Sequence, residues 1–306
     1  MLRRGPGDIP SVRATSWLHL VDLLFAGSWN RDIGRFRSPF AFRGHACADE
    51  PLTSSLLRFA AGRNAVALEQ HLLRNFRKYA HGEAGTGGSV WQWLALGQHR
   101  GLPTRLLDWT YSPFVALHFA TSNLIHMGED GAVWAMNFVE ANRALPTRLR
   151  RILDAEGSDT MTIEMLTRFD SLAHFDRLSR RPFVVFLEPP SIDPRIVNQF
   201  ALFSLMSSAS AALGDWLGAT PHLARQVIVP ASLKWEVRDK LDQLNINERV
   251  LFPGLDGLSR WLMRYYWMRP SASETAGSRR PDPRAGRARA RRLARPADPS
   301  VPPPAR

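Results

Sequence analysis

Four short apolar runs after residue 130 constrain the fold of the chain most strongly. All four are rich in large apolar residues, and three of them begin or end at Gly or Pro, a pattern typical of strands. They span residues 131–138, 182–189, 200–208 and 225–230. Helical patterns lie between and after them, at 141–178, 231–244 and 255–267. Strands and helices mixed in this way predict an α+β fold.

The first half of the chain is richer in helical patterns. Ser16 stands at the N-cap position of an amphipathic segment that ends at Gly27, and two further helical patterns follow at 64–80 and 89–99. A Phe-rich segment between the first of these helical patterns and the one at 64–80 predicts a strand that ends near Arg43. We therefore expect a helix-rich N-terminal part and a mixed or antiparallel sheet.

Composition predicts one long domain with disordered ends. The chain is 44% hydrophobic, enough to build a core, and no Pro/Gly-rich linker interrupts residues 16–268. We expect a single domain over 15–268, a disordered N-terminus over 1–14 and a disordered tail over 269–306. The tail is rich in Arg, Pro and Ala and has almost no large apolar residues to bury.

The tail also holds much of the positive charge. The net charge is +12, and from residue 270 onward nine Arg face three acidic residues. Residues 279–295 could therefore bind nucleic acid. The alternative is a solvated tail without a partner.

Several kinds of protein are excluded by what the sequence lacks. Cys47 is the only cysteine, so we expect no disulfide framework, no cysteine-based zinc site and no metal. No apolar run reaches the ~18 residues of a membrane span, and the first residues lack a signal-peptide pattern. A cytoplasmic protein that does not contact membranes fits best. Dinucleotide, Walker A, zinc-protease and serine-hydrolase motifs are absent as well.

The polar residues of GQHRGLPTRLLDWTYSPFVALHFAT, residues 97–121, suggest a site. Ser112 is placed as an N-cap and Pro113 as the first residue of a helix. Thr110 and Ser112 would then lie beside unpaired backbone N–H groups, a place that suits an anion or a phosphate. The alternative is that both hydroxyls only cap the helix.

Three residues of the same window are predicted to support the structure. Arg105 and Asp108 are three residues apart, one helical turn, and apolar neighbours including Trp109 surround them. We expect a partly buried Arg105–Asp108 pair that makes the turn before Thr110 rigid. His99 could bind a ligand or act as a base, or it could be a hydrogen-bonded structural residue.

Longer stretches carry a family pattern: AFRGHA (41–46), WLALGQHRGLPTRLLDWTYSPFVALHFA (93–120), VFLEPPSIDPRIVNQFALFSL (185–205) and NERVLFPGLDGL (247–258). Together they resemble the FRG domain, a bacterial and phage family named for its Phe-Arg-Gly motif, over about residues 15–265. Two positions depart from the family pattern: Arg100 stands where an aromatic residue is frequent, and Ala201 replaces a Gly.

A more distant resemblance, to ADP-ribosyltransferases, implies roles for individual residues. Arg43, with Gly44 and His99, would bind the cofactor-like substrate NAD, and Thr110 and Ser112 would brace the cleft. Glu188 or Gln199 would be catalytic, facing the ribose where oxocarbenium charge develops. The paired E-x-E acids of Arg-modifying members are absent.

Three hypotheses about function follow. The first is an NAD-using, ADP-ribosyltransferase-like enzyme that modifies an unknown macromolecular target as a toxin or phage-defence effector. The second is a non-catalytic module that binds a nucleotide or a protein through the Arg43 cleft. The third is a nucleic-acid-associated protein that uses the basic tail.

Overall fold

An eight-stranded mixed sheet and a separate hairpin make up the strands of the computed structural model, which describes residues 9–84 and 88–267. The strands in chain order are β1 Ser11–Arg13, β2 Trp29–Asn30, β3 Arg35–Phe36, β4 Phe40–His45, β5 Leu106–Thr110, β6 Gly131–Asn137, β7 Met161–Thr162, β8 Val184–Glu188, β9 Ala201–Met206 and β10 Ala224–Val229. The sheet order is β1-β10-β6-β4-β5-β9-β8-β7, and β2 pairs with β3. The β1–β10 and β7–β8 pairs are parallel and the other pairs are antiparallel.

Helices occupy the segments between the strands and the segment after the last strand. They are α1 Trp17–Phe25, α2 Ser55–Ala60, α3 Ala65–Ala84, α4 Val90–His99, α5 Pro113–Thr121, α6 Phe138–Ala141, α7 Thr147–Glu156, α8 Ile163–Leu166, α9 Leu172–Asp176, α10 Pro194–Asn198, α11 Leu213–Ala219, α12 Ala231–Gln243, α13 Glu248–Leu251 and α14 Leu255–Tyr265. This confirms the predicted α+β class with a mixed sheet.

The chain divides into two units, Met1–Leu262 and Met263–Arg306. In the second unit the described residues, 263–267, are the end of α14 and the two residues after it. The predicted disordered tail, 269–306, and its nucleic-acid segment, 279–295, lie outside the described residues.

Two apolar clusters cover one face of the sheet side by side. The α5 cluster joins α1, α5 and α12 to β4, β6 and β10; its members include Leu20, Phe42, Leu117, Val133, Val227 and Val237. The α4 cluster joins α3, α4, α7, α8 and α9 to β5, β8 and β9; its members include Trp91, Leu94, Leu149, Phe175, Leu187 and Phe203. A third cluster, with Trp109, Trp134, Phe186, Leu202 and Leu213, covers the opposite face. The centre of the first face, between β4 and β5, is where its two clusters adjoin.

Local sequence rules explain where several helices begin. Ser16, Ser89 and Ser112 each cap a helix by accepting a hydrogen bond from the backbone N–H three residues later. At Ser89 the Gln92 side chain also accepts a hydrogen bond from the Ser89 backbone N–H, which completes a capping box. These serines satisfy N–H groups that have no partner within the helix.

Two segments differ from the sequence predictions. Residues 106–110 form the central strand β5 where we expected a helical turn, because Leu106 and Leu107 point alternately into clusters on opposite faces of the sheet. Residues 11–13 form β1, within a segment that we expected to be disordered. Pairing with β10 gives this segment backbone hydrogen bonds, and Arg13 forms an ion pair with Asp130.

Within residues 9–84 and 88–267, no helix is both long enough and apolar enough to cross a membrane.

Candidate functional site

A cavity of about 280 Å³ lies between β4 and β5, where the α4 and α5 clusters adjoin. Its walls come from β4, β5, β9, α4, α5 and α10. It is lined by Phe42, Arg43, Gly44, Gln98, His99, Asp108, Trp109, Thr110, Phe119, Arg195, Ile196, Gln199, Ala201 and Phe203. Four residues predicted to bind the cofactor (Arg43, Gly44, His99 and Thr110) therefore line one cavity.

The guanidinium of Arg43 lies where the ladder between β4 and β5 ends. The two strands pair at one register position, Phe42 with Thr110. Just beyond it, Arg43 Nη1 donates to the backbone oxygen of Asp108 at 2.6 Å, and Arg43 Nε donates to His45 Nε2 at 2.9 Å. Loss of water around the guanidinium lowers the pKa of Arg43, although its side chain stays charged at neutral pH.

His45 fixes the orientation of Arg43. Its side chain is buried, and its Nδ1 lies 3.1 Å from the backbone oxygen of Glu50. Burial, and then the charge of Arg43, lower the pKa of His45 to about 3, so its imidazole is neutral. A neutral ring that donates from Nδ1 to Glu50 leaves Nε2 free to accept from Arg43.

Asp108 presents a carboxylate to the cavity, and a short chain of hydrogen bonds holds it. Gln98 Nε2 donates to the two carboxylate oxygens at 3.0 and 2.9 Å. The Gln98 carbonyl oxygen in turn accepts from Thr104 Oγ1 at 2.6 Å, which fixes which end of the amide faces Asp108. Asp108 is exposed, so it remains available to a ligand.

His99 and Arg195 line the far wall of the cavity, and Asp193, which is not among the lining residues, contacts His99. His99 Nε2 lies 3.1 Å from Asp193 Oδ2. Asp193 caps α10 by accepting from the backbone N–H of Arg195 at 2.7 Å, and this bond is the main reason that the pKa of Asp193 is lowered. The Arg195 guanidinium stacks over the Phe252 ring at 4.8 Å.

The two hydroxyls expected beside the helix N-terminus serve the local structure. Thr110 lines the cavity, but its Oγ1 donates to the Gln199 backbone oxygen at 2.7 Å and accepts from Ser112 N at 3.0 Å. Ser112 Oγ accepts from Val115 N at 3.3 Å, and Ser112 is not among the lining residues. Its geometry is that of the helix cap, the alternative raised from the sequence.

Gly44 lets α5 approach β4 closely. A Cβ on Gly44 would lie 1.9 Å from the Ala116 backbone oxygen and 2.6 Å from the Ala120 nitrogen. Both are backbone atoms that cannot turn away, so a side chain at this position would push α5 off the sheet.

The predicted Arg105–Asp108 pair is wrong. Arg105 is buried and pairs with Glu69, with Nε to Oε1 at 2.8 Å, and with Asp176, with Nη1 to Oδ1 at 2.6 Å. Burial opposes the charged form, but these two carboxylates raise the pKa of Arg105 above its ordinary value. Three-residue spacing does not bring Arg105 to Asp108 because the segment is a strand, whose side chains alternate between faces.

Trp109 has contacts on the opposite face. Its ring belongs to the third cluster, and its Nε1 donates to Ser204 Oγ at 2.8 Å in the core. Arg105 and Trp109 thus both make buried contacts that hold β5, while Asp108 faces the cavity.

The two residues predicted to be catalytic do not lie together. Gln199 lines the cavity, and its Nε2 donates to the Leu251 backbone oxygen at 2.9 Å. Glu188 is not among the lining residues; its carboxylate accepts from Tyr111 Oη at 2.8 Å and Thr160 Oγ1 at 3.2 Å. Leu187 and Asp108 both pair with Phe203, so they share a face of the sheet, and Glu188, the next residue, points to the other face.

Several polar residues around the cavity were not chosen from the sequence as site residues: His45, Gln98, Asp193 and Arg195. For two of them, the neighbouring sequence offered a clue. Gln98 directly precedes His99 at the end of a helix, and Asp193 precedes Pro194 as an N-cap residue does. Their approach to the cavity depends on contacts between segments distant in sequence.

Comparison with family models gave a match to the FRG domain over residues 38–127. The chain contains an FRG domain. No curated protein and no solved structure gave a match to the chain. The matched FRG segment supplies Arg43, Gln98 and Asp108, whereas Arg195 and Gln199 follow later in the sequence. The cavity therefore joins the matched FRG segment to residues outside it.

Proposed function

We propose that the cavity of this FRG-domain protein binds a phosphate-bearing nucleotide, with NAD as the first candidate. The observation that carries the proposal is the surroundings of Arg43. Its hydrogen bonds within the described residues go to two neutral acceptors, the His45 ring and the Asp108 carbonyl, and no described carboxylate reaches salt-bridge distance. A partly desolvated cation without an ion-pair partner favours an anionic ligand, and the planar guanidinium suits phosphate oxygens.

The rest of the cavity fits the other parts of a nucleotide. Arg195 supplies a second cation on the opposite wall. Phe119 and Phe203 offer apolar surface to a base or a nicotinamide ring. The volume of about 280 Å³ is close to the lower end of ligand pockets, roughly 300–1,000 Å³. The cavity would thus enclose part of a dinucleotide, and the remainder would extend through its opening.

Cleavage of the nicotinamide–ribose bond is the second candidate function, and Asp108 favours it. That reaction needs a negative group near the ribose, where positive charge develops. Glu188 points to the other face of the sheet, and Gln199 carries an uncharged amide. Asp108 is the carboxylate among the lining residues, and Gln98 holds it in place. In this role the protein would be an ADP-ribosyltransferase-like enzyme that acts on a macromolecular target or on water.

Calorimetry with NAD tests the binding proposal. We expect NAD to bind the wild-type chain and Arg43→Ala to weaken binding by roughly 10- to 100-fold, because a charge-assisted hydrogen bond contributes about 1.5–3 kcal/mol. Arg31→Ala is the matched control: Arg31 is an exposed arginine of the β2–β3 turn, so its loss should leave binding unchanged. Absence of NAD binding at millimolar ligand would overturn the proposal.

Nicotinamide release separates binding from turnover. If the protein cleaves NAD, release should stop in Asp108→Asn and continue in Glu188→Gln, because Asp108 alone of the two lines the cavity. Binding without release in the wild type, with and without cell extract, would leave nucleotide binding as the function and reject the enzyme.

A further inference from the structure

A thiol, an imidazole and a carboxylate meet outside the cavity, near the end of β4 and the start of β6. Cys47 lies two residues after β4, His126 ends a 3-10 turn after α5, and Glu129 precedes β6 by two residues. Cys47 Sγ is 2.9 Å from Glu129 Oε2, and His126 Nδ1 is 3.2 Å from the same oxygen. One potential ligand atom from each residue lies within 4.8 Å of the other two.

We propose that Cys47, His126 and Glu129 form a Zn²⁺ site. Zinc binds thiolate sulfur at about 2.3 Å and imidazole nitrogen or carboxylate oxygen at about 2.0–2.2 Å, in a tetrahedron. Ligand atoms of such a tetrahedron are roughly 3.3–3.7 Å apart. Glu129 Oε2 therefore has to move away from the other two atoms by about half an ångström, and the separation of Cys47 Sγ and His126 Nδ1, which is within 4.8 Å, has to reach the same range. Thiolate and imidazole together favour zinc over the calcium and magnesium that all-oxygen sites prefer.

The site is open to solvent on one side. The His126 side chain is 34% exposed and that of Glu129 is 58% exposed, and Cys47 is half-buried. Three protein ligands with an accessible fourth position leave room for a water molecule on the metal. Exposure also lets Glu129 change its rotamer without disturbing the core.

A buried lysine fixes the backbone that carries two of the ligands. Lys234 on α12 is fully buried, and its Nζ donates to the Ala46 oxygen at 2.8 Å and to the His126 oxygen at 2.7 Å. The peptide groups next to Cys47 and of His126 itself are thereby held at a fixed separation. The positive charge of Lys234 opposes a dication, and the thiolate and the Glu129 carboxylate offset it.

Metal binding replaces one proton. The Cys47 thiol proton, which points to Glu129 in the metal-free arrangement, leaves to solvent as the thiolate binds the ion. From the sequence we expected no metal, because a single cysteine makes no multi-cysteine motif. The proposed site needs a single thiolate, and its other ligands come from a loop about 80 residues later.

Cobalt titration of the full-length chain tests the proposal. Co²⁺ bound to a thiolate gives an intense near-ultraviolet charge-transfer band, and because Cys47 is the only cysteine, the band reports this residue. We expect the band to appear on adding Co²⁺ and to vanish when Zn²⁺ displaces it. Cys47→Ser should abolish it. His126→Ala and Glu129→Gln should each weaken binding by more than about 100-fold, since losing a mere outer-shell partner costs about 10- to 100-fold.

His71→Ala is the matched control, because His71 is an exposed histidine on α3, and it should leave the titration unchanged. Circular dichroism spectra checked for each variant establish that the fold is retained. Absence of the thiolate band at millimolar Co²⁺ would overturn the proposal. A band that persists in both His126→Ala and Glu129→Gln would also overturn it, because the ion would then be bound by an isolated thiol.

Discussion

Replacing Arg105 should destabilise the protein more than most single substitutions. The Arg105 and Glu69 side chains are each 2% exposed, so Arg105→Met leaves the Glu69 carboxylate buried without its partner. Breaking a buried pair in this way costs about 3–5 kcal/mol, whereas a whole domain is stable by only about 5–15 kcal/mol. Asp176 adds less to the loss because its side chain is 22% exposed and water can replace its partner.

Chemical and thermal unfolding measure this effect. At about 2–4 °C per kcal/mol for a domain of this size, Arg105→Met should lower Tm by roughly 6–20 °C. The double variant Arg105→Met, Glu69→Met removes both charges and should recover most of the loss, because buried ion pairs and apolar residues of similar volume are often equally stable. A double variant no more stable than Arg105→Met would refute the reasoning, as would a single variant within about 1 kcal/mol of wild type.

Two further predictions concern the β4 segment. Gly44→Ala should lower the free energy of unfolding by at least about 1–3 kcal/mol, since its Cβ would overlap the Ala116 backbone. Gly214→Ala is the control: Gly214 lies in a helix, its Cβ would make only ordinary contacts at 3.8 Å or more, and the substitution should raise the free energy of unfolding by about 0.5–1 kcal/mol. Equal effects of the two substitutions in urea unfolding would contradict this account. Folding lowers the pKa of His45 from 6.5 to about 3. As the pH falls, His45 is therefore protonated in the unfolded protein before it is protonated in the folded protein. Its contribution to stability is therefore complete above pH about 6.5 and declines toward pH 3, by up to about 1.4 kcal/mol per pH unit. His45→Gln should flatten the pH dependence of unfolding in this window and His71→Gln should not; an unchanged slope in His45→Gln would show that another group is responsible.

Part of the candidate site followed from the family resemblance. That resemblance grouped Arg43, Gly44, His99, Thr110 and Ser112, and all of these except Ser112 line one cavity. The role of Asp108 was misjudged, because three-residue spacing suggests a helical pair while the segment is a strand. His45 was overlooked because nothing in AFRGHA indicates that the histidine, two residues after Arg43, would be buried and would hold its guanidinium.

The sequence alone determined the mixture of helices and strands and the starts of α1, α4 and α5, because capping and apolar periodicity act within a few residues. Tertiary structure decided which polar groups meet. Arg105 finds Glu69 and Asp176 through contacts between distant segments, and strand register turns Asp108 toward the cavity and Glu188 away from it. A shift of one residue along a strand reverses the face to which a side chain points. That choice depends on the pairing of whole strands across the sheet, and no local pattern encodes it.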